Sequence, residues 1–97
     1  MSNRNSQPIV VLEPSEATVG QLVVIKGQGF PKTTAVFVVI LNPSVLLPSL
    51  LVETDRDGLF VTSTSFQLPG EYTFSACFWR RRRWDCASTP HELLIVT

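Results

Sequence analysis

PGEYTFSACFWRRRRWDC, residues 69–86, opens with a strict two-residue alternation. Tyr72, Phe74, Ala76 and Phe78 fall on one face of an extended strand, while Thr73, Ser75, Cys77 and Trp79 fall on the other. The first set is the face expected in a core. Pro69 and Gly70 punctuate the chain just before it, and a tyrosine entering such a strand commonly ties down the preceding turn through its hydroxyl. The second half of the stretch is close to a palindrome. Cys77 and Cys86, Trp79 and Trp84, and Arg81 and Arg82 share one midpoint, so a hairpin folded about Arg81–Arg82 sets each residue opposite its twin. Cross-strand twins lie close enough for a disulfide between Cys77 and Cys86 and for ring packing between the tryptophans. The thiols are expected to oxidise only after export or release from a reducing cytosol.

Working outward, short apolar runs rich in β-branched residues recur between Gly, Pro, Asn and Asp signals, at 9–12, 21–26, 35–41, 50–54, 59–66, 71–79 and 92–96. This spacing predicts an all-β sandwich of about seven strands in two sheets. No stretch carries helical spacing long enough for more than a turn. Residues 1–8 read as a polar arm and 9–97 as one domain. The predicted core is Val23, Ile25, Phe30, Val36, Val38 and Ile40 together with the inward set of 71–79. Residues 55–58, DRDG, predict an Asp-Gly hairpin turn.

Composition narrows the function classes. With 44% hydrophobic and 16% charged residues the chain is not disordered, and it is apolar for its 97-residue length. A net charge of zero argues against a general nucleic-acid or membrane-surface binder. That zero hides an asymmetry, because four of the eight basic residues are Arg80, Arg81, Arg82 and Arg83. The start, MSNRNSQP, has neither the form of a signal peptide nor that of a membrane span.

Two segments carry a family resemblance. EPSEATVGQLVVIKGQGFP (13–31) matches through Pro14, Gly20, Val23, Ile25, Gly27, Gly29 and Phe30. TDRDGLF (54–60) followed by LPGEYTFSA (68–76) matches through the Asp-Gly turn, the Phe, the Pro-Gly and the Tyr. Over residues 9–97 the chain resembles the bacterial IPT/TIG-type immunoglobulin-like modules. The resemblance implies an early-set immunoglobulin-like sandwich, used as a binding, spacer or assembly module in bacterial surface proteins and phage structural proteins, with no catalytic residues. The chain departs from that pattern at NPSVLLPSLL (42–51) and in the Cys-Trp-Arg hairpin.

Those two departures hold the candidate sites. If Val36, Val38 and Ile40 point inward, Phe37, Val39 and Leu41 point outward, next to the very apolar segment that carries Leu46, Leu47, Leu50 and Leu51. Either that segment folds back as a lid or a protein partner covers the face. The partner is the expectation, because Pro43 and Pro48 stiffen the segment. For Trp79, Arg80, Arg81, Arg82, Arg83 and Trp84 two readings stand: a self-stapled hairpin with a solvated tip, or a grip on an acidic surface. Glu53, Asp55 and Asp57 form an ordinary turn rather than a calcium loop, which needs further ligands. His91 has no nucleophile or metal-ligand partner in a recognised pattern, and two cysteines nine apart suit a disulfide rather than zinc. No enzyme activity, cofactor or metal is expected. The first expectation is a structural protein of a larger particle, such as a decoration or accessory protein of a phage virion, made in the cytoplasm. The alternative is a module of a bacterial cell-surface protein that binds an acidic glycan at the Trp/Arg tip.

Overall fold

The alternating stretch becomes the longest strand of the molecule. In the computed structural model, which describes residues 7–86 and 89–97, the strands are β1 (Ile9–Glu13), β2 (Glu16–Ala17), β3 (Val23–Gln28), β4 (Ala35–Leu41), β5 (Leu50–Glu53), β6 (Phe60–Thr64), β7 (Gly70–Arg80), β8 (Arg83–Asp85) and β9 (Glu92–Val96). They form an all-β sandwich. One sheet has the order β1-β3-β6; the other has the order β2-β9-β7-β4-β5, with β8 also paired to β7. Each of the seven runs expected from sequence overlaps a strand, and β2 and β8 are additions to them. The described residues contain no helix.

Between β1 and β2 the chain changes sheets. Pro14 lacks the N–H that would continue the β1 ladder, and two residues later Glu16 and Ala17 pair in parallel with Ile95 and Val96 of the opposite sheet. Strand β7 organises the larger sheet. Its residues 73–78 pair with β4 on one edge, and its other edge is divided. Gly70–Phe74 pair with β9, and Phe78–Arg80 pair with β8.

All ten residues predicted for the core are buried. The same core holds Val10, Leu12, Ala17, Phe60, Phe66, Leu94 and Val96. Phe30 joins the sheets: its ring centroid lies 5.5 Å from Phe60 of the small sheet and 5.5 Å from Phe78 of the large one. Phe60 in turn lies over Gly27, its partner across β3 and β6, where any Cβ would overlap the ring. The Tyr72 hydroxyl donates to the Leu68 carbonyl at 2.7 Å, fixing the Pro69-Gly70 turn as the sequence predicts.

The DRDG segment corrects one expectation. It is a turn, with the Gly58 N–H donating to the Asp55 carbonyl at 3.1 Å and Gly58 at φ 76°, but it does not join a hairpin. Strands β5 and β6 lie in different sheets, so the turn carries the chain across the sandwich. Local turn chemistry is the same in both cases; the destination is set by where the next apolar face is buried. The Asp55 carboxylate accepts from the backbone N–H groups of Asp57 at 2.8 Å and Leu59 at 3.0 Å. Hydrogen bonding from Leu59 first, and then from Asp57, lowers its pKa. The stabilisation this gives is therefore complete above the ordinary carboxylate range and is lost as pH falls through the lowered value.

Thr54 was invisible to pattern reading. It is buried directly after β5, where its hydroxyl accepts from the Thr34 N–H at 2.8 Å and donates to the Pro31 carbonyl at 2.7 Å. Thr54→Val keeps the shape and strands both partners. It is expected to lower stability by about 1–3 kcal/mol in urea unfolding, and a loss near zero would show the hydroxyl to be dispensable.

Candidate functional site

The outward face of the β2-β9-β7-β4-β5 sheet is built from registered rungs. Leu51, Phe37 and Cys77 form one rung across β5, β4 and β7. Val39 stands opposite Ser75, and the rung below runs Leu41, Thr73, Leu93 across β4, β7 and β9. At the other end Trp79 stands opposite Trp84. Leu41 and Leu51 are 57% and 64% exposed, and Leu93, Trp79 and Trp84 are also exposed. Phe37 and Val39 are half-buried.

The hairpin of β7 and β8 closes the upper end of this face. Cys77 and Cys86 form a disulfide with their Cα atoms 4.1 Å apart, as the palindrome predicts. Trp79 and Trp84 meet edge to face, with ring centroids 5.4 Å apart and planes at 72°. Trp84 also packs on Phe37, 4.9 Å between centroids, so an aromatic run leads from β4 to the hairpin. Beneath it lies a shallow apolar dish of about 350 Å³, lined by Phe37, Val39, Ser49, Cys77, Trp84 and Cys86.

The hairpin turns through two residues, Arg81 at φ 53° and Arg82 at φ 66°. Left-handed backbone at both central positions is the signature of a type I′ turn, a geometry that favours Asn-Gly. For residues with a Cβ it costs about 1–2 kcal/mol each. The disulfide and tryptophan rungs below hold the strands in register. Arg80 forms an ion pair with Asp85 at 3.6 Å. Arg81, Arg82 and Arg83 are exposed, and among the described residues none of the three has a carboxylate within ion-pairing distance.

Segment 42–51 divides differently from expectation. Asn42 and Pro43 open a turn in which the Asn42 side chain accepts from Ser44 N–H and donates to the Glu71 carbonyl. Leu47 and Leu50 then pack against the core instead of joining an outward patch. There they line a cavity of about 200 Å³ with Ile40, Phe66 and Tyr72. The physical reason is register: Leu50 pairs with Val38, whose side chain points inward, while Leu51 pairs with outward Phe37. Leu46 is 98% exposed and apart from that contact. Leu47 and Leu50 thus do not fold over Phe37, which is flanked by Leu51 across β5 and packed by Trp84. Of the residues expected to meet a partner, the structure gathers Phe37, Val39, Leu41, Leu51, Trp79 and Trp84 on one face with the arginines at its end. It leaves Leu47 and Leu50 half-buried against the core, off that face. Leu93 was missed, although it alternates with buried Leu94 at the start of the last apolar run.

The described residues include no group of three or more His, Cys, Asp or Glu side chains placed to hold a metal ion. His91 is exposed.

Neither a protein-family model nor a curated protein matches the chain. Among the solved structures that share its fold are two small domains. The CARDB domain of the PF1109 protein from Pyrococcus furiosus, solved in complex with di-metal ions, is 12% identical at a TM-score of 0.60, covering 94% of this chain and 86% of that one. The PmoD soluble domain from a Methylocystis species is 14% identical at a TM-score of 0.58, covering 93% of this chain and 89% of that one. Both are small all-β, sandwich-like domains, and at such identities the likeness speaks for the fold alone.

Proposed function

We propose that the chain is a non-enzymatic interaction module of the early-set immunoglobulin-like kind that docks on a protein of a larger assembly, such as a virion, through the outward face of its larger sheet. One observation carries this reading: Leu41, Leu51, Leu93, Trp79 and Trp84 are exposed together on registered rungs of a single face. Contiguous apolar surface of this kind, rimmed by charge, marks interfaces. The strand order, with its early switch from one sheet to the other, supports the immunoglobulin-like type. The glycan alternative draws less support from the geometry. The tryptophans meet edge to face, and Trp84 already packs on Phe37, so they present no pair of parallel rings for sugars to stack on.

The test is a pair of substitutions on the face, Leu41→Asp with Leu51→Asp. Both side chains are largely exposed, so the melting temperature is expected to stay within a few degrees of the native chain's. Sedimentation with particles or extract from the protein's source is expected to show the native chain co-sedimenting and the double variant left in the supernatant. Equal co-sedimentation of both, or of neither, would refute the reading.

A further inference from the structure

The turn at Arg81–Arg82 uses a backbone that Asn-Gly satisfies freely and that long β-substituted side chains resist. Backbone held in such a conformation by rungs below it points to a use for the side chains it displays. A tip required merely to be soluble needs neither the strain nor four adjacent cations. Asp85 answers Arg80, and Arg83 stands opposite Arg80 across the hairpin. Arg81 and Arg82 are thus displayed at the turn itself, above the two exposed tryptophans, while Arg83 shares the opposite face of the hairpin with Arg80.

The rest of the molecule indicates what they receive. Outside the hairpin seven acidic residues (eight in all less Asp85) face four basic ones (eight in all less the four arginines), so positive charge is concentrated at the hairpin although the net charge is zero. Nucleic acid gains its affinity by placing many phosphates along a basic track, which this surface lacks. An acidic protein segment needs a single cationic point. Arginine forks match carboxylates two hydrogen bonds at a time, and Trp with Arg is the composition that concentrates binding energy in protein interfaces. The apolar dish on Phe37 and Trp84 adjoins the tryptophan pair, so an apolar side chain next to the carboxylates has a seat.

We infer that the tip and the dish form one continuous site for an acidic peptide segment with a bulky apolar anchor. Arg81 and Arg82 hold the carboxylates, and the dish takes the anchor. This rests on the reading of the outward face as a docking surface and names the chemistry of the partner.

The decisive variant is Arg81→Asn with Arg82→Gly in the full chain, because Asn-Gly suits the turn and removes two of the cations. Its melting temperature is expected to equal or exceed that of the native chain. The probe is a fluorescein-labelled peptide of consecutive glutamates ending in leucines, followed by fluorescence anisotropy. Native chain is expected to bind it, the variant about tenfold or more weakly, and a glutamate peptide without leucines is expected to bind the native chain less well. Equal binding by native and variant chains, or none by the native chain, overturns the site. Equal binding of the leucine-free peptide overturns the shared anchor, and equally tight binding of duplex DNA overturns the assignment to a protein partner. Failure here is separable from failure of the docking face, since Arg81→Asn with Arg82→Gly leaves Leu41 and Leu51 in place and co-sedimentation reports on them independently.

Discussion

Phe78→Ala is expected to lower stability by about 3–5 kcal/mol, the largest effect of any single substitution considered for this chain. Phe78 is 1% exposed and is the last inward residue of β7. Its backbone sits where β4 and β8 both pair with β7, opposite Val36 on one edge and Asp85 on the other. Its ring meets Phe30 nearly edge-on, at 86°, and Phe30 meets Phe60 over Gly27. Truncation therefore opens a void at the point where an aromatic chain links the sheets, and a close-packed interior closes such a void only in part. A chain of this length has on the order of 5–15 kcal/mol in total, so the variant is expected to lie near the edge of folding. Urea unfolding read by tryptophan fluorescence gives the value. Trp79→Ala, one residue along and on the exposed face, is the control and is expected to cost far less. A loss below about 1 kcal/mol for Phe78→Ala would mean that the sheets are joined elsewhere.

The second large effect belongs to the disulfide. Cys77 and Cys86 are separated by nine positions, and in chain-entropy terms closing so short a loop contributes about 2.7 kcal/mol. Cys77→Ala with Cys86→Ala, or reduction of the native protein, is expected to lower the melting temperature by on the order of 10–20 °C for a domain of this size. The alanine variant should no longer respond to reductant. If the native melting temperature moves by less than a few degrees on reduction, the tryptophan rung holds the hairpin without the covalent bond.

Much of this arrangement was legible in the chain because it rests on short-range rules. Alternation from Tyr72 to Phe78 names the inward face without reference to any other strand. The Cys and Trp pairs fix a hairpin register because their midpoint coincides with the turn. What escaped depended on information outside the segment concerned. Pro48 interrupts the alternation of 46–51, so the phase of Leu50 is set by the pairing of β5 with β4 and not by its neighbours. DRDG marks a turn whether the chain returns beside β5 or crosses to the other sheet. Thr54 looks like any strand-end threonine until Pro31 and Thr34 arrive from a remote loop. Strand β2, two residues long, has no pattern of its own and exists through β9.

The divided edge of β7 has a consequence for how such a surface varies. Strands β8 and β9 both use that edge, but they hold different parts of it and are joined by residues 86–91. The register of the hairpin is set at the cysteine and tryptophan rungs, below the turn, and the sandwich is set by β9, β4 and the core. Residues 80–83 are therefore a terminus in all but connectivity. A two-residue loop there can give way to a longer one of another type without moving any rung beneath it. The frame and what it displays are separately heritable: a lineage can exchange the displayed residues, and with them its partner, while every buried contact of the domain stays as it was.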